Sequence, residues 1–144
     1  MDERFKQTLK EIVDKLNGSG LGWFLIGGTS QIIQGLNRNF NDIDIGVKYE
    51  DYFTVKELFK DNEIKESDTF DKKGKRFTFE SGGIEVDILG LTEDSAHLSM
   101  LGNYKIKKIN FEGIEVNCYP VEIEANIYEK YGKPERAEQL RRLI

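Results

Sequence analysis

Phe5, Leu9, Ile12, Val13 and Leu16 recur at helical spacing, which predicts an amphipathic helix over residues 2–17. Asn17-Gly18-Ser19-Gly20 ends it. Trp23-Phe24-Leu25-Ile26 is a continuous apolar run between glycines and reads as a buried strand with Trp23 in the core. Gly27-Gly28-Thr29-Ser30 then turns the chain tightly, and Thr29 or Ser30 can cap the helix that carries Ile32, Ile33 and Leu36. Asp42-Ile43-Asp44-Ile45-Gly46-Val47 alternates polar and apolar, as a half-buried strand does. Tyr52, Val55, Leu58 and Phe59 mark a helix over residues 51–62.

The second half reads as strands and then helices. Arg76 to Glu80 and Ile84 to Leu89 are two strands joined by Ser81-Gly82-Gly83. His97 follows Glu93-Asp94-Ser95 and reads as lying in a loop. Tyr104 to Ile109 and Ile114 to Cys118 form a second hairpin around Phe111-Glu112-Gly113. Pro120 opens a helix through about Tyr131. Gly132-Lys133-Pro134 breaks it, and a last short helix carries Ala137, Leu140 and Leu143. The order predicts an α+β fold, a mixed β-sheet flanked by helices.

Composition narrows the function. At 144 residues the chain is expected to be one domain, residues 1–144, with its own core. Charged residues make up 33%, well mixed in sign, and the net charge of −5 argues against non-specific nucleic-acid binding. The single Cys118 excludes a disulfide framework or cysteine zinc cluster, and the single His97 excludes a multi-histidine metal site. Cys118 reads as a small core hydrophobe and His97 as structural or exposed. The charged start of the chain has no apolar signal segment, and no apolar run approaches the ~20 residues of a membrane span. A cytoplasmic protein with no membrane partner is the expectation. Lys72, Lys73, Lys75 and Arg76 form a basic turn that reads as a solvated loop.

The chemistry concentrates between Ile26 and Val47. Glycines let a backbone approach a ligand closely, and free N–H groups after a strand-to-helix turn suit a phosphate. Asp42 and Asp44 stand two apart on one strand, so both carboxylates share a face while Ile43, Ile45 and Val47 point to the core. Two acids so close raise each other's pKa, and a divalent cation removes that cost. Oxygen-only ligands favour Mg²⁺ or Mn²⁺ over zinc. Ile84-Glu85-Val86-Asp87-Ile88 alternates in the same way. If its strand lies beside that of Asp42, then Asp87 or Glu85 completes a three-carboxylate cluster.

Ile26-Gly27-Gly28-Thr29-Ser30, Asp42-Ile43-Asp44-Ile45 and the strand of Asp87 together resemble the nucleotidyltransferase superfamily related to DNA polymerase β. Arg38 and the helices from Pro120 to Leu143 resemble its small bacterial and archaeal branches, AbiEii-like and antibiotic-nucleotidyltransferase-like. The resemblance implies a nucleotidyltransferase-like fold and transfer of an NMP from an NTP, such as ATP, to a hydroxyl, with release of pyrophosphate. It implies that Gly27, Gly28, Thr29, Ser30 and Arg38 bind the nucleotide. It also implies that Asp42, Asp44 and Asp87 hold Mg²⁺ or Mn²⁺ and are catalytic, Asp87 being a candidate to take the acceptor's proton. Phe40, where those branches carry Thr or Ser, is expected as an apolar side chain at the mouth of the site. The acceptor is left open among a small molecule, an RNA end and a protein hydroxyl. A second copy or a helical protein partner would supply what a short chain lacks. The competing reading is a non-catalytic partner-binding module of the toxin–antitoxin type.

Overall fold

The computed structural model describes residues 2–144. Helix α1 spans Glu3–Ser19, with the Asp2 side chain accepting from the Arg4 N–H at its start and Gly20 in the left-handed conformation at its end. Then follow β1 (Phe24–Ile26), α2 (Gly27–Ile33), β2 (Ile43–Lys48), α3 (Tyr52–Leu58), β3 (Lys65–Asp68), β4 (Gly74–Ser81) and β5 (Ile84–Leu91). The chain closes with α4 (Ala96–Leu101), β6 (Lys107–Phe111), β7 (Ile114–Cys118), α5 (Val121–Lys130) and α6 (Pro134–Arg141). The strands form one mixed sheet in the order β3-β4-β5-β2-β1-β7-β6, so the α+β expectation holds. No helix among the described residues is long and apolar enough to cross a membrane.

The sheet separates two packed layers. Leu25, Ile43, Ile45, Val47, Phe77, Phe79, Val86 and Ile88 face α1 and α3, closing over Phe5, Leu9, Leu16, Val55 and Phe59. Burying each such side chain contributes about 1.5–3 kcal/mol relative to exposure. The opposite face carries Phe24, Ile26, Leu89 and Leu91, which pack with Ala96, Tyr119, Ile123 and Ile127 from the α4–α5 side. Because strand side chains alternate, that second face must also receive Asp44 and Asp87.

Two elements depart from the sequence reading. β3 is an exposed edge strand made only of Lys65, Glu66, Ser67 and Asp68, so it carries no apolar alternation to read. Its partners are specific all the same, since Glu66 accepts from Tyr52 Oη at 2.9 Å and pairs with Lys56. His97, expected in a loop, lies in helix α4. Ser95 caps it, and the Asp71 carboxylate accepts from the Ala96 N–H at 3.2 Å.

Phe40 is a correction. It stacks on Phe5 with ring centroids 4.6 Å apart and meets Phe111 edge-on at 5.6 Å, so it closes the core over α1 instead of lining the mouth of the site. Trp23 and Cys118 are buried, as expected.

Candidate active site

Ile26 ends β1 and Gly27 begins α2 with no intervening loop. Gly27 has φ +67, a left-handed conformation that side chains disfavour. A Cβ there would also lie 3.0 Å from Asp44 Oδ2. The turn is therefore pressed against the Asp44 carboxylate, and only glycine allows the approach. At Gly28 a Cβ would lie 3.5 Å from Arg38 Nη2, so the Arg38 guanidinium stands over the next residue of the turn.

The hydroxyls of this turn do not cap α2, contrary to expectation. Thr29 Oγ1 donates to the Asp42 backbone carbonyl and ties α2 to the start of β2. Ser30 is buried, its Oγ 3.4 Å from the Tyr119 carbonyl and accepting from Gln34 Nε2 at 3.0 Å. The first N–H of the helix instead finds a carboxylate far along the chain. The Gly27 N–H donates to Glu124 Oε2 at 2.9 Å.

β2 and β5 are parallel neighbours, with Asp44 directly opposite Asp87. Asp42, Glu85 and Asp87 each offer a carboxylate oxygen within 4.8 Å of the others. The alternatives for the third acid thus both enter the cluster. Asp44 sits beside it, sharing a hydrogen bond with Asp87. Burial first, then Asp87 and Asp42, push the Asp44 carboxyl up to about 8, so at neutral pH it carries the shared proton. Asp42 is raised by burial and then by the Asp87 charge, and Glu85 chiefly by the Asp87 charge. Asp87 goes the other way. Its burial works to raise it, but hydrogen bonds from Asp44, Thr78 and Arg76 outweigh burial and hold it below the usual carboxylate range.

Those last donors all use one oxygen. Arg76 Nη2 lies 3.0 Å, Arg76 Nε 3.3 Å and Thr78 Oγ1 2.8 Å from Asp87 Oδ1. Asp87 Oδ2 receives none of the three. The cluster offers only hard oxygen ligands, closely spaced and mutually repelling, which fits Mg²⁺ or Mn²⁺.

Two recesses meet at Asp44. The smaller, about 80 Å³, is walled by Gly28, Thr29, Arg38, Asn41 and Asp42. The larger, about 300 Å³, runs from Gly27, Asp87 and Arg76 under α5 to His97 and Tyr128, with Phe70 and Tyr131 at its outer end. Phe70 and Tyr131 are both exposed and meet edge-on at 5.5 Å. His97 is neither loop nor exposed. It lies in α4 with its ring edge-on to Tyr119, and Nε2 is 3.8 Å from Glu124 Oε2.

Glu124, Arg76 and the aromatic wall were not singled out from sequence as site residues. Glu124 and Tyr128 stand at i and i+4 on α5, with Tyr131 directly after its end, a polar stripe beside buried Val121, Ala125 and Ile127. A glutamate among apolar helix positions is the one signal that marks it.

The model of the aminoglycoside-2''-adenylyltransferase family matches residues 8–142, nearly the whole chain. The chain belongs to this family. It is a nucleotidyltransferase, with the fold that its glycine turn and paired acids imply. A Thermotoga maritima protein described as a nucleotidyltransferase superposes with TM-score 0.73 at 22% identity, over 99% of this chain and 93% of its own. The lincosamide antibiotic adenylyltransferase LnuA, solved with lincomycin bound, gives 0.68 at 14% identity over 100% and 98% of the two chains. The antibiotic-resistance factor ANT(2'')-Ia gives 0.70 at 14% identity over 99% and 90%. No curated protein matches the chain by sequence alone.

Proposed function

We propose that this nucleotidyltransferase moves AMP from ATP to a hydroxyl of a small, amine-bearing acceptor and releases pyrophosphate. The observation that carries the reading is the in-register Asp44–Asp87 pair against the Gly27 turn, with Asp42 and Glu85 completing the acid cluster. Asp42, Asp87 and Glu85, with Asp44 once it gives up its proton, would hold Mg²⁺ or Mn²⁺. When bound, the cation supplies charge neutralisation on the phosphates and makes the acceptor hydroxyl more acidic.

The chain's own residues do the rest. Arg38 and the backbone at Gly28 and Thr29 face the smaller recess and would receive triphosphate oxygens. The acceptor oxygen would form a bond to the α-phosphorus as the bridge to the β-phosphate breaks, and Asp87 would take the acceptor's proton. Arg76 and Thr78 keep Asp87 in one orientation, so the other oxygen is available for that step.

A small-molecule acceptor is favoured over an RNA end or a protein hydroxyl. The larger recess has about 300 Å³, the low end of small-molecule sites. Its walls set Arg76 and Lys133 beside Asp44, Asp87 and Glu124, with aromatic rings at the outer end, a mix of apolar surface and a few polar groups that suits a small polar ligand. The family's description and the antibiotic-bound structure of LnuA support the same class. The test is Mg²⁺-dependent pyrophosphate release from ATP across a panel of aminoglycosides, lincosamides and simple amino sugars. A product heavier by one AMP on one of them supports the reading. No release with any, with each NTP in turn, overturns it.

A further inference from the structure

Strand pairing of Ile26 with Asp44 and the Thr29 hydroxyl on the Asp42 carbonyl fix the two sides of the Gly27–Gly28 turn, but no capping side chain holds its first N–H. The residue before α2 is Ile26, whose side chain makes no capping hydrogen bond, and α2 is only seven residues long. Gly27 sits in a left-handed conformation of wide backbone freedom. Yet the turn must keep a close approach to Asp44.

Glu124 supplies the restraint from 97 residues away in sequence. It is 2% exposed, and each of its carboxylate oxygens accepts from α2. Oε2 takes the Gly27 N–H at 2.9 Å and Oε1 takes Gln31 Nε2 at 3.0 Å. Gln31 also donates to Tyr128 Oη at 2.8 Å, one helical turn beyond Glu124 on α5. The carboxylate therefore grips the first residue of α2 and a residue one turn later. Both oxygens of this buried carboxylate are thus hydrogen-bonded within the protein, and among the described residues no buried side-chain polar atom lacks a partner. The Gly27 N–H, in turn, is not available to a ligand.

We infer that Glu124 is a positioning residue of the nucleotide site, holding the Gly27–Gly28 turn against Asp44 so that the backbone beyond Gly27 and the acid cluster keep a fixed relation. The assignment rests on the proposed nucleotide reading. It differs from a merely stabilising contact in that its loss is felt by the nucleotide and not by the cation, because the acids stand on β2 and β5.

The experiment compares Glu124→Ala, Glu124→Asp and Glu124→Gln by three readouts. These are amide exchange at Gly27, calorimetric Mn²⁺ affinity without nucleotide, and affinity for a non-hydrolysable ATP analogue with Mg²⁺, all well below each variant's melting temperature. Loss of a buried charged hydrogen bond predicts that Glu124→Ala speeds Gly27 exchange and weakens the analogue by roughly tenfold or more. Mn²⁺ affinity should stay within about twofold, since no cluster carboxylate is removed. Glu124→Gln still accepts from Gly27 but sets an NH₂ against that of Gln31, so it should recover analogue affinity to within about threefold of the parent. Glu124→Asp retracts the carboxylate by one methylene and should behave like alanine; it decides the matter if Glu124→Ala does not fold. Unchanged Gly27 exchange, analogue affinity within twofold of the parent in Glu124→Ala or Glu124→Asp, or a parallel fall in Mn²⁺ affinity would each overturn the assignment. A parent that binds no ATP analogue instead defeats the nucleotide reading, while Gly27 exchange still decides whether Glu124 holds the turn.

Discussion

Asp44 and Asp87 stand directly opposite each other on parallel strands β2 and β5, and they share one proton. Two side chains on neighbouring strands at one register position are direct neighbours on the same face of the sheet. With the Asp44 carboxyl pushed up to about 8 and Asp87 held low, the pair resolves its repulsion by keeping the proton on Asp44.

That proton predicts a linkage to cation binding. At pH 7 a group titrating near 8 is mostly protonated, so Mn²⁺ binding should release about one proton per site. Calorimetry in buffers of different ionisation enthalpy reads the number directly. Affinity should rise with pH and level off only above about 8. Asp44→Asn should release far fewer protons. Equal release from parent and variant would place the displaced proton elsewhere.

The same pair fixes the sign of a stability effect in the cation-free protein. The folded state holds a proton on Asp44 that the unfolded chain gives up near pH 4. Its stabilising contribution is complete below that value and is lost as pH rises to about 8. Urea midpoints should therefore fall across that window, less so in Asp44→Asn. Midpoints that climb steadily from pH 5 to 8 in both proteins would contradict the shared proton.

The two layers of the sheet were legible in sequence because alternation at Ile43, Ile45, Val86 and Ile88 forces Asp44 and Asp87 to the opposite face. Register between β2 and β5 was not legible, so the third acid stayed open between Glu85 and Asp87, and both stand in the cluster. β3 escaped because an exposed edge strand needs no apolar residue. Glu124 escaped because its partner, a backbone N–H, leaves no mark in the sequence. Phe40 misled because adjacency to Asn41 and Asp42 in sequence says nothing of which side of the sheet a loop residue faces.

The two acids of β5 should separate by kinetics. Asp87 is oriented by Arg76 and Thr78 and is the group proposed to take the acceptor's proton. Asp87→Asn should cut kcat by at least ~10²-fold, with kcat/KM falling in step. Glu85→Gln removes a cluster oxygen without that orientation, so its main effect should be weaker Mn²⁺ binding. If Glu85→Gln abolishes turnover and Asp87→Asn does not, the roles are reversed.

Gly27 and Gly28 should tolerate alanine very differently. Gly27→Ala forces a side chain into the left-handed region and sets its Cβ 3.0 Å from Asp44 Oδ2. The conformational term alone costs about 1–2 kcal/mol. Gly28 has ordinary helical backbone, and its added Cβ would make only a 3.5 Å contact to Arg38. Gly28→Ala should leave stability within about 0.5 kcal/mol of the parent, while Gly28→Val, which crowds the Arg38 side of the turn, should weaken nucleotide binding without touching Mn²⁺ affinity. Urea unfolding of Gly27→Ala at parental stability would show that the turn is looser than its geometry requires.

Arg76 holds two roles that a single substitution can pull apart. Its guanidinium neutralises Asp87 in the cation-free protein, and it orients the same carboxylate. A cation entering the cluster must share Asp87 with a positive charge already there. Arg76→Met keeps most of the side chain's bulk and removes that competitor, so Mn²⁺ affinity should rise, by about tenfold or more for a unit charge a few ångströms from a divalent cation. Turnover should fall about tenfold or more, because the oxygen that takes the acceptor's proton is no longer held in line. The low-pH limb of stability should shrink as well. Asp87 is depressed when folded, so its contribution is present above the unfolded value near pH 4 and lost as pH falls below it, and without Arg76 less is there to lose. Tighter cation binding with slower turnover would establish that both roles operate. If Mn²⁺ affinity falls together with turnover, Arg76 acts on the cluster by orientation alone, and its charge is not what the cation must overcome.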